Sequence, residues 1–161
     1  RLWILGEGPD RAAIQAEAVA LGLTDQVSFA GFQSNPFAFF RAADLFVLSS
    51  LYEGFGNVIV EAMGCGTAVL STDCPYGPGE IITHGENGWL VPPGDPVALA
   101  NGILEALSDP GRRKRVADAG AARARDFSSP AIAAAYTAEL VALAPTGRCD
   151  AGAGSEGGDR L

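Results

Sequence analysis

Short apolar runs recur along the first 91 residues, each followed by a turn-forming stretch rich in Gly, Pro, Ser or Asp. Each run contains at most one polar residue, which is typical of a strand that is covered on both faces. The pattern predicts five strands, at residues 2–5, 27–30, 45–48, 68–71 and 89–91.

The stretches between and after these runs carry helix signals. Pro9 and Asp10, for example, open a helix that Gly22 ends. Helices are predicted at residues 10–21, 36–42, 57–64, 96–107, 112–125 and 130–143, with a short helical or irregular segment at 80–83. This alternation predicts an α/β fold, an open parallel sheet with helices on both faces. In such a sheet ligands bind beyond the carboxyl ends of the strands.

Composition narrows the class of protein. The chain has 161 residues with a net charge of −8, and we expect no nucleic-acid partner, since that would need a clustered positive surface. Its three cysteines show no CxxC spacing, and we expect reduced thiols in a cytoplasmic protein. Residues 1–143 form one predicted domain, and the Gly-rich segment 144–161 is predicted to be a disordered tail.

The loop between the third and fourth predicted strands carries the candidate chemistry. Glu53 follows a buried strand, Gly54 and Gly56 come next, Asn57 is the predicted N-cap, and Glu61 lies on the second turn of the helix. Glycines let backbone amides approach an anion, and a helix N-terminus carries about +0.5 charge, so the loop suits a phosphate. Carboxylates beside it suit sugar hydroxyls. These residues therefore predict a sugar-nucleotide site.

The run EGFGNVIVEAMGCGTAVLSTD resembles the E-x7-E signature of the retaining glycosyltransferases of family 4, also called glycosyl transferases group 1. GEGP, VSFAGF and AADLFVLSS precede it in the family's order, and ENGWLVPPGD follows it. The stretch STDCPYGPGEII is similar to a version of this loop in one bacterial branch. The resemblance covers residues 2–143. It implies the Rossmann-like donor-binding domain that forms one half of a GT-B fold, in which two such domains face each other across a cleft.

The resemblance also implies roles for individual residues. Glu61 matches the family's ligand for the ribose hydroxyls, and Glu53 matches the catalytic carboxylate near the transferred sugar. The loop whose amides meet the sugar and the diphosphate matches Gly54, Phe55, Gly56, Asn57 and Val58. The positions near the nucleotide end and its base match Gly6, Gly8, Gly31 and Phe32. Glu80 is a weaker candidate for the donor pocket.

The implied reaction is transfer of a hexosyl group, with retention, from a UDP- or GDP-sugar. The implied acceptor is a saccharide or a lipid-linked saccharide held by an N-terminal domain that this chain lacks, in polysaccharide biosynthesis. We expect no cofactor and no metal, because no DxD pair or ligand cluster stands out. The family's donor domain begins with one more strand and helix, which carry an Arg and a Lys for the diphosphate. We therefore expect a domain incomplete at its N-terminus and inactive alone, with a possible peripheral membrane contact through the basic run 112–115.

Other interpretations of the same residues remain open. GEGPDR resembles a dinucleotide-binding turn, but Arg11 stands where GxGxxG needs its third glycine. A GT-B sugar-nucleotide epimerase or phosphorylase is a second alternative, and a non-catalytic nucleotide-sugar-binding module is a third. Glu53 and Glu61 can also be ordinary solvated carboxylates. Replacing Glu53 by Gln separates the enzyme from the binding module, since only the enzyme loses turnover.

Overall fold

The computed structural model of the protein describes residues 1–143, so the predicted tail at 144–161 lies outside the described residues. Strands and helices alternate as the apolar pattern predicts. The strands are β1 (Leu2–Leu5), β2 (Val27–Gly31), β3 (Phe46–Leu48), β4 (Val69–Thr72) and β5 (Trp89–Val91). The helices are α1 (Arg11–Ala20), α2 (Phe37–Ala42), α3 (Asn57–Gly64), α4 (Pro78–Ile81), α5 (Pro96–Ser108), α6 (Pro110–Ala124) and α7 (Ser129–Leu143), with a 3-10 turn at Arg125–Phe127.

All of the strand pairs are parallel, but hydrogen bonding joins the strands in two groups. β1 pairs with β2, while β4 lies between β3 and β5. Among the described residues no ladder joins β1 to β3, so one edge of each of these strands is free. On β1, Leu2 and Trp3 remain 51% and 54% exposed, although both are large and apolar. The expected open sheet is therefore divided between β1 and β3.

The core lies on both faces of β4, because successive strand residues point to opposite faces. Val69 packs into a cluster with Ile59 and Met63 of α3, whereas Leu70 packs into a cluster with Trp89 of β5 and with residues of α5 and α6. A Cβ at Gly102 of α5 would lie 2.8 Å from Leu70 Cδ1, so this helix approaches the sheet closely. Helices on both faces fix the positions of the loops at the ends of the strands.

The predicted N-cap of α3 is wrong. Asn57 is the first residue of α3, and the N-cap is Gly56 in a left-handed conformation, with φ of 86°. A left-handed residue turns the chain sharply into the helix, and glycine adopts it without the steric cost of a Cβ. No side chain of the described residues caps this helix end.

The helix α7 belongs to a second compact unit, which begins at Ser128. Large apolar side chains of this helix are solvent-accessible, among them Ile132, Tyr136, Leu140 and Leu143. From the apolar face that these residues form in the sequence we expect the chain to self-associate, which stays a prediction. Within residues 1–143, no helix combines the length and the apolar character needed to cross a membrane.

Candidate functional site

The candidate residues lie beyond the carboxyl ends of the parallel strands, in two clusters. The first cluster follows β1 and β2, where the Gly6 N–H donates a hydrogen bond to the Gly31 carbonyl at 2.8 Å. Gly6 and Gly31 have φ values of 107° and 68°, which only glycine adopts at low cost. Phe32, directly after Gly31, is 79% exposed. The two predicted nucleotide-end turns are therefore in direct contact and carry an exposed aromatic side chain.

The second cluster is the 53–58 loop, between β3 and α3. Two hydrogen bonds hold the Glu53 carboxylate in place. Ser50 Oγ donates to Glu53 Oε1 at 2.7 Å, and Thr72 Oγ1 donates to the Ser50 carbonyl at 2.5 Å. Glu53 is half-buried, and no partner of its Oε2 atom is recorded among residues 1–143. The ends of β3 and β4 thus fix Glu53 and leave one oxygen able to accept from a ligand.

The backbone of the 53–58 loop leads directly into the N-terminus of α3. Because no side chain caps α3, the first amides of the helix keep their hydrogen-bonding capacity for a ligand. The Ile59 N–H, in contrast, donates to the Gly56 carbonyl at 2.8 Å. A Cβ on Gly56 would approach Ile59 Cδ1 to 3.1 Å, so the turn is tightly packed on the helix. This geometry suits a diphosphate oxygen.

Glu61 lies on the solvent side of α3, opposite the buried residues Ile59, Ala62 and Met63. No ion pair of Glu61 is found in the described part of the chain. An exposed, unpaired carboxylate on the helix that starts at the loop is available to accept from ligand hydroxyls. No hydrogen bond recorded for residues 1–143 connects the 53–58 loop with the Gly6 and Gly31 turns.

The loop after β4, from which the sequence analysis named only Glu80, lies beside the 53–58 loop. A depression of about 310 Å³ is lined by Asp73, Cys74, Pro75, Tyr76, Gly77, Gly79 and Glu80. Gly77 packs so closely on the 53–58 loop that its Cβ would lie 2.0 Å from the Phe55 carbonyl oxygen. Tyr76 has a positive φ of 66° and is 75% exposed. The density of Pro and Gly predicts a tight loop here, but nothing local indicates its contact with Phe55.

Glu80 lines this depression, but its side chain also has a local structural role. Its Oε1 accepts from the Gly77 N–H at 3.4 Å, which closes the first turn of α4. The His84 side chain also makes a structural hydrogen bond, since its Nδ1 accepts from the Leu90 N–H at 3.1 Å. In the described residues, no group of three or more His, Cys, Asp or Glu side chains is arranged to hold a metal ion.

The basic run 112–115 is largely paired with carboxylates of the same chain. Arg112 pairs with Glu105, Arg113 with Asp44, and Lys114 with Asp118, at 2.6–3.1 Å. These pairs reduce the charge that the run presents to a lipid surface, so the expected membrane contact gains no support from its geometry.

Relatives with solved structures share the fold. The crystal structure of Anabaena HepE in complex with UDP superposes with a TM-score of 0.80 at 30% identity, covering 88% of this chain and 40% of that chain. A second HepE structure, in complex with UDP-glucose, superposes with a TM-score of 0.78 at 31% identity and the same coverage. These likenesses confirm the expected α/β, Rossmann-like fold.

Sequence relatives give the family. LpsD of Rhizobium meliloti (strain 1021), a lipopolysaccharide core biosynthesis glycosyltransferase, is 38% identical over 136 residues, which is 84% of this chain and 39% of that protein. The chain spans about two fifths of the length of the curated relatives that it matches. Residues 1–123 match the family model of glycosyl transferases group 1. The chain belongs to glycosyl transferases group 1.

Proposed function

We propose that this chain is the donor-binding half of a glycosyltransferase that transfers a hexosyl group, with retention, from a nucleoside-diphosphate sugar. The observation that carries the proposal is the 53–58 loop, which combines an uncapped helix N-terminus with an anchored carboxylate, Glu53. The similarity to LpsD, a glycosyltransferase, supports the reaction class, and the similarity to HepE in complex with UDP-glucose supports a UDP-sugar donor. The acceptor is a saccharide or a lipid-linked saccharide, bound by a further domain of a longer protein.

The proposed chemistry uses the site without a cofactor or a metal. Cleavage of the sugar–phosphate bond leaves negative charge on the diphosphate, and the amides of Gly54, Gly56 and Asn57 with the α3 dipole stabilise it. Glu53 accepts hydrogen bonds from hydroxyls of the transferred sugar. Glu61 accepts from the ribose hydroxyls. The turns that contain Gly6, Gly8, Gly31 and Phe32 border the base.

We also propose that the donor half needs one more strand. A doubly wound sheet has the strand order 3-2-1-4-5-6, with its ligand at the switch point between strands 1 and 4. β1 and β2 correspond to strands 2 and 3, and β3, β4 and β5 to strands 4, 5 and 6. The free edges of β1 and β3 then flank the position of strand 1, and a strand there would cover the exposed Leu2 and Trp3.

If the donor half needs this additional element, the chain by itself transfers no sugar. The Arg and Lys that the family resemblance places in the missing element each supply a contact worth about 1.5–3 kcal/mol. Without both, donor affinity falls by roughly two to four orders of magnitude. Measurable sugar transfer by the purified chain would contradict the proposal.

Calorimetric titration with UDP, GDP, UDP-glucose and UDP-N-acetylglucosamine tests the donor site. It uses this chain and a version extended on its N-terminal side by one strand and helix. We expect one nucleotide series to bind more tightly to the extended version, and Glu61→Ala to abolish that binding. Glu17→Ala, an exposed helical carboxylate on α1, is the matched control. Absence of binding to the extended version, or equal loss in the control variant, would refute the site.

Turnover is tested separately in the longer protein. We expect Glu53→Gln to abolish transfer while nucleotide binding persists. Unchanged function in that variant would favour a non-catalytic nucleotide-sugar-binding module.

A further inference from the structure

Arg123, near the C-terminal end of α6, makes an unusual number of contacts for a surface arginine. Its Nη2 donates to the Glu80 carbonyl at 2.8 Å, and its Nε donates to the Ile81 carbonyl at 3.3 Å. Nη1 pairs with Asp126 at 2.9 Å, and the guanidinium carbon lies 4.6 Å from the centroid of the Phe127 ring. One planar group therefore holds the end of α4 and one face of Phe127 together.

Both of these elements contact Phe55, in the middle of the 53–58 loop. The rings of Phe55 and Phe127 meet edge to face, with centroids 5.4 Å apart. On the backbone side, Gly77 packs against the Phe55 carbonyl with no room for a Cβ. Phe55 is thus supported by Phe127 at its ring and by the start of α4 at its backbone.

Both supports pack on the core, Ile81 of α4 inside it and Phe127 at its border, and Arg123 contacts each of them. α4 has four residues, a single turn, and its last carbonyls have no partner within the helix. Arg123 donates to the carbonyls of Glu80 and Ile81 from more than 40 positions away in the chain, and Asn87 Nδ2 also donates to the Ile81 carbonyl, at 3.3 Å. The same guanidinium covers the Phe127 ring, and so fixes the side chain against which Phe55 packs. Arg123 therefore contacts both of the elements that support Phe55.

We propose that Arg123 is a positioning residue for the 53–58 loop, which it holds in its anion-binding geometry through α4 and Phe127. The inference rests on the proposed function of that loop. An arginine is required because the contacts use separate nitrogens and the face of one planar fork, which an ammonium group does not reproduce. Arg123 touches no ligand in this arrangement, and it acts through the backbone of Phe55.

The test compares Arg123→Gln and Arg123→Lys with Arg125→Gln, a control two positions along the chain at an exposed site. Amide hydrogen exchange is followed by NMR at Ile59, whose N–H donates to the Gly56 carbonyl, and, as a reference for global stability, at β4. UDP affinity is measured by calorimetry on the same variants of the version extended on its N-terminal side. We expect both Arg123 variants to accelerate exchange at Ile59 at least about tenfold more than at β4, and to bind UDP about tenfold more weakly than wild type.

The two readouts separate this inference from the proposed function. Equal acceleration of exchange at β4 and at Ile59 would show a purely structural role and overturn the inference. Full recovery in Arg123→Lys would overturn the requirement for a planar fork. Selective acceleration at Ile59 in a protein that binds no UDP would support the positioning role and count against the nucleotide site instead.

Discussion

Replacing Gly77 by Ala is the most direct perturbation of the contact between the β4–α4 loop and the 53–58 loop. Gly77 has a φ of 92°, and an added Cβ would lie 2.0, 2.4 and 2.7 Å from the oxygen, the carbonyl carbon and the Cα of Phe55. All three atoms belong to the backbone, so no rotamer change relieves the clash. Because real Cβ contacts stay beyond 3.0 Å, the two loops must separate by about 1 Å.

The cost has two parts. The backbone conformation of Gly77, with φ of 92° and ψ of −68°, costs a residue with a Cβ about 1–3 kcal/mol, and overpacking adds about 1–3 kcal/mol. We therefore expect Gly77→Ala to lower the free energy of unfolding by about 2–6 kcal/mol, and Tm by roughly 6–18 °C. A misplacement of about 1 Å costs an enzyme up to about 100-fold in rate, and the same shift would move the amides of the proposed anion site, so we expect UDP affinity to fall as well.

Thermal unfolding followed by circular dichroism, with UDP titration of the same samples, measures both effects. Gly64→Ala is the matched control, since it is the last residue of α3 and its Cβ would meet nothing within 4 Å. We expect that control to gain up to about 1 kcal/mol of stability. A Gly77→Ala protein with the Tm and the UDP affinity of wild type would refute the reasoning.

Two further predictions concern stability. Thr67 is 4% exposed and donates to the Phe40 carbonyl at 2.6 Å, so we expect Thr67→Val to lower the free energy of unfolding in urea by about 1–3 kcal/mol. The control Thr137→Val, at an exposed helix position, should change it little, and equal effects of the two substitutions would contradict this prediction. The Arg112 backbone N–H donates to Asp109 at the start of α6 and lowers the pKa of that carboxyl. The ionised form thus stabilises the fold above the unfolded-state pKa of about 3.9, and this contribution is lost as the pH falls through the lower folded-state pKa. The Tm difference between wild type and Asp109→Asn should therefore shrink on acidification, and a pH-independent difference would argue against it.

The order of elements could be predicted from the sequence because their signals are local. The apolar runs are short and end at turn residues, and all five predicted strands are present within one residue or so of their predicted positions. Proline opens α5 and α6 near the predicted places, and an Asp side chain caps each of them. Residues 80–83, for which the sequence left helix and irregular structure open, overlap the short helix α4. The loop with Glu53 was found for the same reason, since its glycines lie between a strand and a helix.

Local sequence signals gave the wrong prediction where tertiary contacts set the backbone conformation. Asn57 is a good N-cap by residue type, but the left-handed Gly56 takes that position because the turn must pass close to Ile59. The free edges of β1 and β3 could not be predicted from the sequence either. Strand pairing depends on which strands meet in space and not on the pattern within each strand.

The sequence by itself determined the α/β class, the family and the candidate carboxylates, because hydrophobic periodicity, turn residues and a spaced motif act over a few residues. Only the tertiary structure decided what supports the 53–58 loop. Gly77, Phe127 and Arg123 lie between about 20 and 70 positions from Phe55, and they reach it, directly or through one another, only after the sheet and α6 have packed. Contacts at that separation depend on the geometry of the whole core, which no local pattern encodes.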